Sequence, residues 1–254
     1  MSKTLKKVLF HYSALGERVN LGGGFNFYRC PGWLNSVMTP IFHSSGIPSA
    51  NDLKHLEHYF ARIKTRKTPY DCSMPYFCVD VTHHPKPKSI ASRFTPLGYT
   101  YLGNKFICLH DHLDSFELPK GTRIVLSEYF DRHTYPLMQE QFQESFQQTP
   151  LFRREFDRMI KLAPGNTYSV LLQSGKNQVL ASGLFTLKGR HCALWSGSVS
   201  KKYRGNGYSR LSIEARKLMS AGLGAESWIF FTHNPLMSGH YHSRLEYHIF
   251  NKAV

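Results

Sequence analysis

Apolar positions recur with a helical period in three clear stretches. Between residues 49 and 64, Leu53, Leu56, Phe60 and Ile63 fall at i, i+3, i+7 and i+10, which predicts a helix that Ser49 or Asn51 can cap. Phe152, Phe156, Met159 and Ile160 form one stripe over residues 151–162, and a helix over 135–148 precedes it across the breaker pair Thr149-Pro150. Leu211, Ala215, Leu218, Met219 and Gly222 make the apolar face of a helix over 210–222, with Arg210, Glu214, Arg216 and Lys217 off that face. Short apolar and aromatic runs predict strands at 75–81, 105–109, 122–128, 191–199 and 228–232. A hairpin over 167–187 turns at Ser174-Gly175-Lys176-Asn177, and a short helical piece covers 90–94. Residues 1–50 carry turn signals with little periodicity.

Composition narrows the class. The 254 residues are 41% apolar and 14% aromatic, a globular composition. No apolar run approaches the ~20 residues of a membrane span, and the early lysines are not followed by a signal-peptide core. Five cysteines, an odd number without a CxxC pair, fit reduced thiols and a cytoplasmic setting. The net charge of +15 divides as 14 basic against 8 acidic residues up to residue 117 and 18 against 9 beyond it. That field attracts polyanions generally: nucleic acid, an acidic protein or a phosphorylated cofactor. No basic arm concentrates it, so nucleic acid is not the expected partner.

The chemistry concentrates at VSKKYRGNGYS, residues 199–209, between the strand 191–199 and the helix 210–222. A helix start leaves backbone N–H groups unpaired and favours an anion. Gly205 and Gly207 remove side chains that would hold a phosphate away, and Arg204 can add a forked cationic donor. The loop lacks the Gly-Lys-Ser/Thr ending of a P-loop and the three glycines of a dinucleotide fingerprint. A pyrophosphate cradle and a plain tight turn both satisfy this stretch on its own. Gly22-Gly23-Gly24 lacks a preceding strand and a lysine anchor and reads as a turn. His110-Asp111-His112 and His240-Tyr241-His242 are i, i+2 pairs without a third ligand at a recognisable spacing, so no metal is expected.

Arg204-Gly205-Asn206-Gly207-Tyr208-Ser209, preceded by Val199 and Tyr203, resembles the Arg/Gln-x-x-Gly-x-Gly/Ala cofactor loop of the GNAT superfamily of N-acetyltransferases, with Ser209 in place of Gly or Ala. Asn234 after the strand 228–232, and Tyr241 seven residues later, match a pair common in that family; Leu245-Glu246-Tyr247 stands where Leu-Gly-Phe is usual. The order strand, two helices, three strands, loop, helix, strand, helix over residues 118–254 is similar to a whole GNAT domain. Residues 1–117, with Leu97-Gly98-Tyr99 before a closing strand and no cofactor loop, resemble a degenerate GNAT-like half, as in tandem members.

The resemblance implies an α/β (α+β) GNAT fold, a mixed central sheet flanked by helices, with a smaller N-terminal part at 1–117 and a catalytic domain at 118–254. It implies an N-acetyltransferase that uses acetyl-CoA as co-substrate and a primary amine as acceptor in a ternary complex. Gly197, Ser198 and Val199 would meet the pantetheine arm, Gly197 allowing close approach, and Arg204, Gly205, Asn206, Gly207, Tyr208 and Ser209 the pyrophosphate. Asn234 would complete the cofactor site and Tyr241 would protonate the leaving sulfur. Glu128, at the end of the strand 122–128, is a candidate base, as is water relayed to His233. A catalytically silent acyl-CoA sensor fits the same loop. The acceptor's identity and the oligomeric state are not specified by the chain.

Overall fold

The computed structural model describes residues 17–20, 26–34, 37–44, 46–64, 76–86, 88–146, 150–162, 165–232 and 243–252. Two compact units form: residues 1–108 with 231–254, and residues 109–230. The C-terminal segment goes with the first unit.

Within the first unit, β1 (Glu17–Asn20), β2 (Asn26–Leu34) and β3 (Val37–Ser44) lead to α1 (Ala50–Lys64), β4 (Tyr76–Asp80), α2 (Lys88–Phe94) and β5 (Tyr99–His110). The second unit contains β6 (Thr122–Glu128), α3 (Thr134–Phe146), α4 (Pro150–Leu162), β7 (Asn166–Ser174), β8 (Val179–Lys188), β9 (His191–Val199), α5 (Tyr208–Gly222) and β10 (Ser227–Thr232). The chain ends on β11 (Ser243–Lys252), which runs antiparallel to β4 with Tyr247 opposite Asp80 and Phe250 opposite Phe77. That pairing is why the C-terminus belongs to the first unit. It also corrects the expected final helix, because Leu245 and Tyr247 lie on a strand and alternate with partly exposed Glu246.

Strand order in the first unit is β1-β2-β3-β4-β11-β5, with β3 and β4 parallel. Its core gathers α1 through Leu53, Leu56 and Phe60, α2 through Ile90 and Phe94, and Phe77, Val79, Tyr99 and Phe250 from the sheet. Phe77 meets Phe94 edge-on at 5.3 Å and stacks on Phe250 at 5.2 Å. At the rim, Glu57 accepts hydrogen bonds from Tyr99 Oη (2.6 Å) and Lys252 Nζ (2.8 Å). Cys78, Cys108 and Cys192 are buried free thiols. No helix among the described residues is long and apolar enough to cross a membrane.

Strand order in the second unit is β10-β9-β8-β7-β6. From β6 to β9 neighbours are antiparallel, and β9 and β10 are parallel, so the sheet is mixed. The apolar face expected for α5 is not the buried one. Ser212, Ile213, Glu214, Ala215, Arg216, Lys217 and Ser220 are buried, whereas Leu218 is 42% exposed. The polar members are taken in because each meets a fixed partner inside the unit, and these partners define the site below.

Burial tends to raise the Glu57 carboxyl pKa, but the Lys252 and Tyr99 hydrogen bonds outweigh it and hold the value below the usual 4.5. Its contribution to stability is therefore present above the unfolded value and is lost as pH falls through the lower folded one. Glu57→Gln is expected to flatten this part of the thermal midpoint's decline between about pH 6 and pH 3. An unchanged pH profile in the variant would contradict the assignment.

Candidate functional site

The site grows from one irregularity in the second unit. Along β8 and β9, Ser182 pairs with Ser198 but Leu184 pairs with Trp195, so Ser196 and Gly197 together oppose Gly183. This is a β-bulge on β9, and Ser196 takes a positive φ of 48° to make it. Below the bulge, Ser182 Oγ and Ser198 Oγ share a hydrogen bond of 2.7 Å, and Trp195 is fixed by Nε1–H donating to Thr186 Oγ1 at 3.1 Å. On the other side of β9 the parallel partner follows only from His191/Ser227 to Leu194/Phe230. A bulge bends its strand and increases its twist. From Trp195 to Val199, β9 accordingly has no strand partner on that side among the described residues. Such an edge presents N–H and C=O groups to which an extended ligand can add.

Arg216 fills the bulge from α5. It is 4% exposed, and its guanidinium takes the space that side chains at two glycines would need. A Cβ at Gly183 would lie 2.7 Å from Arg216 Cζ, and one at Gly197 would lie 2.9 Å from Arg216 Nη2. Nη1 donates to Leu184 O (3.3 Å) and Trp195 O (3.0 Å), and Nε donates to Ser212 O (2.9 Å). The missing side chain of Gly197 thus makes room for a guanidinium; the role expected for it, allowing a cofactor's approach, has a second structural demand beside it.

Past Val199 the chain enters a 3-10 turn, Lys201–Tyr203, and reaches the helix start at Tyr208. Glu144 near the end of α3 holds the entrance, accepting from Lys201 N (2.7 Å) and Ser200 Oγ (3.1 Å). Arg204 Nε donates to Val199 O at 3.2 Å, and Asn206 Nδ2 donates to Tyr203 O at 3.2 Å. Both bonds keep the loop folded on itself, so the Arg204 guanidinium is oriented before any ligand arrives. Gly205 (φ 81°) and Gly207 (φ 76°) occupy the left-handed region that other residues avoid. Gly207 is the N-cap residue of α5, no side chain caps that end, and a Cβ at either glycine would meet nothing within 4 Å. Uncapped N–H groups beside open space, with Lys201, Lys202, Arg204 and Arg210 exposed around them, make this loop a candidate anion cradle.

The remaining assigned residues fall differently. Asn234, Tyr241 and the relay candidate His233 lie outside the described residues, as does Gly22-Gly23-Gly24. Glu128 is exposed on the edge strand β6, in the cross-strand row Glu128, Tyr168, Phe185, Leu194. Three strand spacings, about 14 Å, separate it from β9. It is level with the last paired residue before the open edge, yet beyond hydrogen-bonding reach of it. Behind it, Tyr129 Oη donates to Asp157 Oδ1 (2.7 Å) and accepts from Gln139 Nε2 (3.0 Å), tying β6, α3 and α4 together.

A second polar cluster surrounds Lys217, which is fully buried. Its Nζ lies 3.0 Å from Glu214 Oε2, 3.4 Å from Asp114 Oδ2 and 3.4 Å from His110 Nδ1. Burial, followed by the neighbouring ammonium, pushes the His110 pKa down to about 4, so the ring is neutral at pH 7. Asp114 supplies the third group that the His110, His112 spacing alone did not reveal, and the three donor atoms lie within 4.8 Å of one another. The cation among them is the Lys217 ammonium. A like charge 3.4 Å from two of the donors opposes a metal ion there.

No family model matches the sequence, and no curated protein matches it. Solved structures do match the fold. A GCN5-related N-acetyltransferase from Kribbella flavida superposes with a TM-score of 0.66 at 10% identity, over 99% of this chain and 95% of that one. A functionally unknown conserved protein from Staphylococcus epidermidis gives 0.60 at 13% identity, over 94% and 95% of the two chains. A tandem GNAT protein from the clavulanic acid biosynthesis pathway gives 0.56 at 11% identity, over 91% and 80%. The chain therefore has a GNAT-superfamily fold, α+β with a mixed central sheet flanked by helices.

Glu144, missed from the sequence, offers a test of how the cradle is built. Glu144→Ala removes the acceptor of the Lys201 N–H and the Ser200 hydroxyl and should cost about 1–2 kcal/mol. The Lys201 amide should exchange faster with deuterium; an unchanged rate would show that the carboxylate does not hold the loop.

Proposed function

We propose that the protein is an acyl-CoA-dependent N-acyltransferase with acetyl-CoA as co-substrate and a primary amine as acceptor. The observation that carries this reading is the pairing of an uncapped, glycine-opened helix start at Gly207 with the edge of β9 from Trp195 to Val199, which has no partner on its β10 side among the described residues. A diphosphate linked to an extended amide-bearing arm is the ligand chemistry that matches both. The N–H groups of residues 205–209 and the Arg204 guanidinium would hold the diphosphate. The edge residues Ser196, Gly197, Ser198 and Val199 would pair with the arm as an added strand, with Asn234 completing the site. The GNAT fold supports the same reading.

The co-substrate supplies a thioester. The acceptor nitrogen forms a bond to the thioester carbonyl carbon, the carbon–sulfur bond breaks, and its electron pair leaves on sulfur. Holding the two reactants together can contribute ~7 kcal/mol or more of the barrier. The amine, with an ordinary pKa of ~10.4 for a lysine-type acceptor, must lose a proton, and the thiolate gains one. Tyr241 is the proposed donor to sulfur. Glu128, three strands from the edge, could take the amine's proton only through a relay of water, so solvent or His233 is the preferred sink.

Calorimetry with coenzyme A tests the binding half. Wild type should bind, and Gly207→Glu should abolish binding while keeping its circular dichroism, because the added carboxylate projects into the open space of the cradle. No heat with wild-type protein would sink the reading. For the chemical half, Tyr241→Phe should lower kcat by about 10²–10⁴ on an amine acceptor found by screening. Unchanged turnover would remove Tyr241 from the mechanism.

A further inference from the structure

We infer that Arg216 is a positioning residue that holds β9 in the shape its ligand requires, an inference that rests on the acyl-CoA reading. Four observations converge on it. The guanidinium is buried, and it occupies the side-chain space of Gly183 on β8 and Gly197 on β9. It bridges the two strands through Leu184 O and Trp195 O. The register slips by one residue at this point, and Ser196 takes a positive φ there. Among the described residues, the parallel pairing of β9 with β10 ends at Leu194, two residues before Ser196.

Physical chemistry links these facts. Where two residues of one strand oppose one of the next, the regular ladder cannot satisfy every backbone group. Nη1 of Arg216 serves two carbonyls that flank the irregularity. A forked, planar donor set can do this while Nε bonds to Ser212 O; a lysine ammonium has no such fork. The Trp195–Ser196 peptide is trans, so its N–H points opposite to its C=O. With the Trp195 carbonyl drawn to the guanidinium on the β8 side, the Ser196 N–H is turned to the other side of β9, the open edge. Hydrogen bonding of the carbonyl also polarises that peptide and strengthens its N–H as a donor. Arg216 therefore fixes which backbone groups the edge offers. It acts through the peptide, without touching ligand.

Burying a guanidinium is costly, and an apolar side chain of similar length often stabilises a fold better. A merely structural role would thus allow Arg216→Met to fold and to bind ligand as before. The positioning role predicts a selective defect, which two ligands can separate. Coenzyme A engages the cradle and the edge; 3′-phosphoadenosine 5′-diphosphate carries the phosphates of coenzyme A without the pantetheine arm and engages the cradle alone.

The experiment measures both dissociation constants by calorimetry for wild type, Arg216→Met and Gly183→Ala, with circular dichroism and a thermal melt on each. Gly183→Ala keeps the arginine but places a Cβ 2.7 Å from its Cζ, displacing the guanidinium should Arg216→Met fail to fold. Coenzyme A should bind about tenfold or more weaker to either folded variant, with the diphosphate nucleotide within about twofold of wild type. Undiminished coenzyme A affinity in a folded variant would overturn the inference. A parallel loss for both ligands would do so too, since it marks a general structural role. Wild-type protein that binds neither ligand would instead overturn the acyl-CoA reading itself, and the inference with it.

Discussion

One guanidinium sits where the ladder between two paired strands slips. Arg216 lies between β8 and β9 against two positions that lack side chains, and it donates to a carbonyl on each strand. The bulge opposite Gly183, the positive φ at Ser196 and the end of pairing with β10 all occur within a few residues of it. A regular antiparallel ladder would satisfy those carbonyls with backbone N–H groups; the open edge lies on the other side of β9, beyond its last described pair with β10 at Leu194. The buried charge replaces that ladder locally, and the replacement is specific because the side chain is planar and forked.

The cradle depends on the same strand. Val199 ends β9, and its carbonyl accepts from Arg204 Nε, so the loop is referenced to the strand at one end and to Glu144 through Lys201 at the other. Gly207, in a left-handed conformation, then starts α5 without a side-chain cap. The helix that offers its N-terminus to an anion also delivers Arg216 to the bulge about two turns later. Cradle and edge lie on one strand–loop–helix element, which is the arrangement the proposed ligand, a diphosphate with an extended arm, would need.

Much of this element was legible in the sequence and some was not, for identifiable reasons. Gly205, Gly207 and Arg204 stand out because glycines at a helix start mark backbone conformations and open space that other residues deny. The strands 122–128 and 191–199 were recovered because short β-rich runs bounded by breakers have little alternative. Arg216 was placed on the polar side of its helix, since hydrophobic periodicity ranks a charged residue as exposed unless its partners are known. Those partners are two main-chain carbonyls from other strands, invisible to any local pattern. Gly183, a lone glycine inside a strand, was the available hint of a bulge or a close approach. The three strands before residue 45 gave weak periodicity, with Pro31 and Gly32 inside β2, and Asp114 joined His110 only through the fold. β11 reads as helical beside Tyr241, but pairing with β4 decided it as a strand.

The account rests on β9 offering its backbone to a ligand from Ser196 to Val199. Hydrogen–deuterium exchange at those amides, with and without saturating coenzyme A, tests it most directly. Selective slowing at the amides that face the open edge, Ser196 foremost, together with slowing at residues 205–209, is the expected result. Slowing at 205–209 alone, with the β9 amides exchanging as in the free protein, would contradict it.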